Sequence, residues 1–365
     1  MKVPLLKKLS YQPDSSKIYA KLKHLPWAAF LDSSFPFSQQ GRYDIITANP
    51  YLCLQTHSTV TTIASTSHTY YSRANPFQLL KTLLTPSNAS VEGIPFPGGA
   101  LGFFSYDLSR QFEPLISRHP QSSIPDMMIG IYDWAITIDH HKQQTYLSCC
   151  HRHPNTHNEL EIILRLLEQD IQPHEEKFEL LEPLSSQKSF TEYQKAFNTI
   201  KQYLYNGDCY QVNLTHPFTA RCQGSAWQAY QAIKNENPMP YAAFLNFNNI
   251  AILSLSPERF IHAHNNIVTA TPIKGTCKRH PDLDIDKELA WKLQHCQKNR
   301  AENLMIVDLL RNDLSKVCAL GTINVAKLFQ LDSYTGIHHL SSTISGRLYE
   351  NQHTLDILQA CFPSD

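Results

Sequence analysis

Strand-like apolar runs at residues 27–31, 43–47 and 128–136 alternate with turn signals, a pattern that predicts strands of a large antiparallel sheet. Residues 158–168 switch to helical periodicity. A polar segment rich in Glu, Pro and Ser follows at 172–189 and reads as a linker. Ser189-Phe190-Thr191-Glu192 has the form of a capping box, with Ser189 or Thr191 as cap. It opens an amphipathic helix that Gly207 ends, after which residues 210–214 alternate as a strand. The chain divides on this reading into an N-terminal region (1–170), a linker (171–188) and a C-terminal domain (189–365).

The C-terminal part predicts a hairpin followed by a long helix. Residues 250–255 are apolar enough for a buried strand, 259–264 alternate, Asn265-Asn266 is a turn dipeptide, and 267–273 run back. The helix spans about 284–314 and is apolar on nearly every side at Leu304-Met305-Ile306-Val307, so that stretch is expected to be deeply buried. Gly98-Gly99-Ala100-Leu101-Gly102 marks a bulge or a close backbone approach, and it lacks the G-x-G-x-x-G spacing of a dinucleotide loop.

Composition narrows the class. The 365 residues carry 32 Lys+Arg against 32 Asp+Glu, a balance that calls for neither nucleic acid nor a membrane surface. No stretch approaches the roughly 20 apolar residues a spanning helix needs, and the N-terminus has no apolar run of a signal peptide. Nine cysteines at irregular spacing, with no C-x-x-C, read as reduced thiols of a cytoplasmic protein. Cys149-Cys150-His151, with His153 and His157 nearby, is a cluster with metal-binding residue types. Neighbours on a strand point to opposite faces, which argues against a shared zinc ion.

Three residues stand out chemically. Lys274 ends an apolar run and precedes Gly275-Thr276. A lysine held against apolar walls becomes a nucleophile, whereas a strand-end lysine simply reaches solvent. Glu258, in Ser256-Pro257-Glu258-Arg259-Phe260, sits at a corner where it can act as a general acid or pair with Arg259. Glu302 lies at the rim of the long helix and either binds a hard cation through oxygen or pairs with Lys298. Asp308, Arg311 and Asn312 share one helix face and read as a structural network.

Five blocks name a family. These are Gly207-Asp208-Cys209-Tyr210-Gln211-Val212-Asn213-Leu214, Ser256-Pro257-Glu258-Arg259-Phe260, Pro272-Ile273-Lys274-Gly275-Thr276, the run from Arg300-Ala301-Glu302-Asn303 to Leu314, and His339-Leu340-Ser341-Ser342. In this order they resemble the chorismate-utilising enzymes: anthranilate, aminodeoxychorismate and isochorismate synthases. The resemblance is strong from about residue 189 to 363 and thin before it. It implies an α+β fold, a two-sheet antiparallel β-sandwich with outer helices, with substrate in a cleft between the sheets.

The resemblance also implies roles. Water-adding members carry lysine where this chain has Gln211, and anthranilate synthases carry alanine where it has Lys274. The pair is similar to the aminodeoxychorismate synthase branch, on the way to p-aminobenzoate and folate. On that pattern Lys274 is the nucleophile and Glu258 the general acid, while Gln211, Gly275, Thr276 and His339 belong to the substrate pocket. Glu302 is a ligand of Mg2+, and ammonia comes from a glutamine amidotransferase subunit. Ser33, Arg42, Tyr43, Asp44, Ile45, Pro240, Tyr241 and Ala242 match the family's tryptophan pocket.

Two departures qualify this. Asn299 stands where many relatives have an acid, which would weaken metal binding. The family pattern continues past Cys361-Phe362-Pro363-Ser364 into a Gly-Ser-x-Thr-Gly-Ala-Pro-Lys loop carrying further magnesium glutamates and a substrate-gripping arginine. The expectation is an incomplete site: a truncated product inactive and poorly soluble alone, or a non-catalytic partner of the amidotransferase.

Overall fold

The computed structural model describes residues 4–37, 41–84, 91–113, 122–170 and 176–363. The expected linker residues 171–175, together with Ser364 and Asp365, lie outside these. The chain forms two compact units, one of residues 1–172 and 234–364, the other of 173–233. The N-terminal region and most of the C-terminal domain therefore fold together. Pairing of Tyr241–Asn246 with Ala29–Asp32 across more than two hundred residues shows why. The expected boundary near residue 171 marks only where the second unit begins.

Among the described residues the larger unit holds three antiparallel sheets, where two were expected. A seven-stranded sheet runs in the order Leu5–Leu9, Gln144–Cys149, Trp134–Asp139, Tyr43–Thr47, Ala29–Asp32, Tyr241–Asn246, Ala251–Ser256. A five-stranded sheet orders Thr69–Ser72, Val60–Ala64, Leu52–His57, Met127–Tyr132 and Gly99–Phe104. In the other five-stranded sheet, the long Ile337–Arg347 strand takes Ile267–Ala270, Ile273–Lys278 and Asn324–Ser333 as partners, with Ile261–His264 on the edge.

The apolar run at 128–136 is two strands in different sheets. Between them the buried Asp133 accepts hydrogen bonds from the backbone of Arg152 and His153 and from the Thr156 hydroxyl, which holds the chain at its turn from one sheet to the next. Every residue of both strands is buried, so the run shows no alternation. The expected hairpin is also redistributed. Ala251–Ser256 belongs to the seven-stranded sheet and Ile261–His264 to a five-stranded one, so the Glu258 corner joins sheets rather than closing a hairpin. Asn265 and Asn266 do make the expected turn, with φ of 50° and 60°.

The long helix is broken at Cys296, whose ψ of 113° is extended, into Leu283–His295 and Gln297–Ser315. Ile306, Val307, Leu310 and Leu314 pack on Val268, Ala270 and Ile344. Burial reaches only this face. Leu304, Met305 and Leu309 stay 45%, 40% and 43% exposed, because no described residue covers the helix's other side.

In the smaller unit, Ser189 caps the helix Phe190–Asn206 through a capping box with Glu192, and Gly207 ends it at φ 79°. None of the helix's residues is buried. Two short ribbons pair Glu179–Leu180 with Cys222–Gln223 and Ser185–Ser186 with Phe218–Thr219. Residues 210–214, expected as a strand, carry no ladder bonds; the alternation has no partner strand to pair with.

Candidate active site

Lys274 lies second in the strand Ile273–Lys278, not at the end of the preceding one. That strand pairs with Ile337–Arg347, and the register shifts between Ile273 and Thr276, so the backbone bulges at Lys274-Gly275. Glycine is needed at the bulge. Gly275 has φ +104°, and a β-carbon there would sit 3.1 Å from the Asn299 side chain. The strand and the Gln297–Ser315 helix thus meet at Gly275 and Asn299. Glu302, three residues on from Asn299, lies one turn further along the same helix face.

Glu258 comes to this strand from the sheet-joining corner. Its Oε1 accepts a hydrogen bond from the backbone N–H of Ile273 at 3.0 Å, which brings the carboxyl to the chain neighbour of Lys274. The corner is itself fixed: the Ser256 hydroxyl bonds the Glu258 carbonyl at 3.0 Å, and Tyr334 Oη reaches the Pro257 carbonyl at 3.4 Å. Arg259 lies over the Tyr241 ring at 5.9 Å.

Thr276 and His339 are cross-strand partners, with Thr276 Oγ1 and His339 Nδ1 2.9 Å apart. His339 is buried, and its Nε2 finds no hydrogen-bond partner among the described residues. Burial pushes its pKa below the ordinary value, with the Gly275 backbone and the Asp332 charge pulling weakly the other way. A neutral imidazole with an open ring nitrogen is a ready partner for a substrate hydroxyl or carboxylate.

No motif or periodicity singled out Asp332, Gln330 and Tyr334. Asp332 stands opposite His339 in the ladder and accepts from Ser341 Oγ at 2.5 Å and Gln330 Nε2 at 2.6 Å. Burial pushes the Tyr334 phenol up to about 12. The consecutive strands Asn324–Ser333 and Ile337–Arg347 pair antiparallel, and the register of that hairpin brings these groups beside His339.

A cleft of about 690 Å³ brings Glu258, alone of the expected catalytic and substrate residues, together with residues of the expected tryptophan pocket. Ser33, Arg42, Tyr43, Ile45, Pro240, Tyr241 and Ala242 line one end, and Glu258, Ile273, Asp332 and Ser341 the other. Asp44 does not line it, since alternation turns it to the opposite face of its strand from Tyr43 and Ile45. There it is buried, accepting from Ser15 at 2.5 Å, from Ser33 Oγ at 2.7 Å and from His140 Nε2 at 2.8 Å. Burial alone would raise the Asp44 pKa, but these bonds outweigh it and hold the carboxyl low. Its role is to fix Ser33 at the cleft wall.

Other expectations resolve locally. Gln211 belongs to the smaller unit. Glu302 pairs with Lys298 at 3.6 Å, and Arg311 with Asp308 at 2.8 Å, as a structural reading requires. The Cys149 and Cys150 thiols diverge, toward His151 and the Pro97 carbonyl, and burial pushes Cys149 up to about 11. No group of three metal-ligating side chains occurs among the described residues. A hard cation at Glu302 would have to displace Lys298 from its carboxylate and take its remaining oxygens from water or a substrate. No helix among the described residues is long and apolar enough to cross a membrane.

Comparison with known proteins places this geometry. The family described as chorismate binding enzyme matches residues 33–364. Aminodeoxychorismate synthase component 1 of Salmonella typhimurium is 39% identical over 99% of this chain and 79% of its own length. The protein of that name from Bacillus subtilis is 29% identical over 99% of the chain and 78% of its length. The crystal structure of anthranilate synthase component I from Streptococcus pneumoniae superposes with a TM-score of 0.78 at 26% identity, covering 90% of this chain and 74% of that one. The protein, with its mixture of helices and antiparallel sheets, belongs to the chorismate binding enzyme family.

Proposed function

We propose that the chain aminates chorismate to 4-amino-4-deoxychorismate with ammonia from a glutamine amidotransferase subunit. The observation that carries this reading is the Glu258–Ile273 hydrogen bond of 3.0 Å, which holds an acid at the residue preceding Lys274 in its strand. Lys274 Nζ forms a bond to ring carbon C2 while both ring double bonds shift toward C4. Glu258 gives a proton to the C4 hydroxyl, which leaves as water. Ammonia then bonds to C4, both double bonds shift back and the C2–N bond breaks, returning the amine to Lys274, while the Glu258 carboxylate takes back a proton from the new ammonium. Two allylic steps replace one difficult substitution. His339 and Thr276 orient the ring, and Gly275 lets the backbone approach it. Gln211, in place of the lysine of the water-adding members, supports the choice of ammonia. Magnesium held by Glu302 would neutralise the ring carboxylate and so ease attack by an electron-rich amine.

The Ser33–Tyr241 end of the cleft suits an aromatic amino acid such as tryptophan: Tyr43, Ile45 and Tyr241 offer ring contacts, and Ser33 and Arg42 offer polar ones.

Mass spectrometry of the chain incubated with chorismate and no ammonia tests the chemistry apart from turnover. A Lys274 peptide heavier by chorismate less water is expected, and ammonium should discharge it. Lys274→Ala should lose the adduct and about 1,000-fold or more in ammonium-dependent amination. Amination that survives Lys274→Ala unchanged would overturn the reading.

A further inference from the structure

Away from the site above, the edge strand Leu5–Leu9 and the helices Ser16–Leu22 and Thr156–Glu168 enclose a second cleft of about 430 Å³, within the range of small-molecule sites. We propose that it binds a small anion with an apolar body, an organic carboxylate or phosphate monoester.

Three features point there. The first is charge: Lys7, Lys8, Lys17 and Lys21 line the cleft against one carboxylate, Glu168. Lys21 is committed to the Leu167 carbonyl at 2.6 Å, and Lys17 has a loose surface pair with Asp14 at 3.9 Å. Lys7 and Lys8 make no ion pair among the described residues. The second is the apolar wall of Ile18, Leu164 and Leu167, which a bare inorganic ion would leave unused.

The third is Thr145. It lines the cleft, is 0% exposed, and its hydroxyl finds no partner among the described residues. A buried hydroxyl without a partner is destabilising, and an anionic oxygen accepting its hydrogen bond removes that penalty. Thr145 pairs with Leu9, and Lys7 lies two residues before Leu9, so the hydroxyl and one ammonium share a face of the sheet.

The wall is also pre-formed. Tyr11, on the cleft, is fixed by its hydroxyl to His140 Nδ1 at 3.0 Å, and His140 is held in turn by Asp44 and by Phe35 stacked at 4.5 Å. That wall needs no reordering on binding.

Isothermal titration of the full chain with hexanoate, hexyl phosphate, inorganic phosphate and hexanol tests this. Saturable binding of hexanoate or hexyl phosphate is expected, and the tighter of the two identifies the head group. Phosphate and hexanol, each lacking one half, should bind about tenfold more weakly or worse. Thr145→Val and the double change Lys7→Gln, Lys17→Gln should each weaken the amphiphile about tenfold, while Thr145→Ser, which keeps a hydroxyl, restores it. No saturable binding, binding unchanged by both variants, or phosphate as tight as hexyl phosphate would each overturn the proposal.

Discussion

The fold treats two carboxylates, Asp44 and Glu258, in opposite ways. Asp44 lies on the inner face of its strand, enclosed by Ser15, Ser33 and His140, with bonds on both oxygens. Glu258 lies on an exposed corner, where its Oε1 accepts from the Ile273 backbone N–H. A buried charge survives only when its partners surround it, and a charge so surrounded has no capacity left for a substrate. The Asp44 region is therefore built for position and the Glu258 region for reaction.

Removing the acid's proton without moving the acid breaks the comparison most sharply. Glu258→Gln keeps an oxygen that can accept the Ile273 N–H, so the fold should hold while ammonium-dependent amination of chorismate falls about 100- to 10,000-fold. A variant within a few-fold of the parent would remove Glu258 from the reaction.

Asp44→Ala should act on stability instead. It leaves Ser15, Ser33 and the buried His140 without their acceptor, a loss of about 3–5 kcal/mol in urea unfolding. A loss below about 1 kcal/mol would mean that the network is not holding the cleft wall.

Gly275→Ala sharpens the contrast from the backbone side. At φ +104° any β-carbon is strained, and this one also meets Asn299, so a cost of about 1–3 kcal/mol is expected. Adding Asn299→Ala should recover only the steric part. Full recovery would show that φ there is not the constraint.

The smallest effect is that of pH. His339, His262 and His353 are held below the ordinary histidine value, burial being the leading cause in each. They are neutral in the fold and gain a proton more easily when unfolded. Their stabilisation is present above the unfolded value of about 6.5 and is lost as pH falls from there toward the folded values. Carboxylates held low, such as Asp44 and Asp139, add a second decline only below about pH 4. Replacing His339 with Gln should blunt the upper decline, as read by urea midpoints across the pH range. A parent profile that is flat down to about pH 5 would contradict the directions given.

Local signals in the sequence located much of this. The capping box at Ser189, the end of its helix at Gly207, the Asn265-Asn266 turn and the Tyr43–Thr47 strand appear where the pattern puts them, because each depends on neighbours a few residues apart. Residues 210–214 and the apolar stretch of the long helix did not follow pattern alone. A strand needs a partner and a buried face needs a cover, and neither is written into the segment itself.

The site divides in the same way. Residue types and order were enough to single out Lys274, Gly275, Thr276, His339 and Glu258, since the chemistry asked for an amine, an acid and a close backbone approach. The chain's assignment to the chorismate binding enzymes follows from those blocks. Only the tertiary structure decided that Glu258 crosses between sheets to reach Ile273, that Asp332 and Tyr334 join His339, and that Ser33 and Glu258 share a cleft while Asp44 turns away from it. The Glu258 crossing and the shared cleft rest on contacts between segments far apart in the chain, and the Asp332–His339 pairing on a hairpin register; hydrophobic periodicity, a local property, encodes neither.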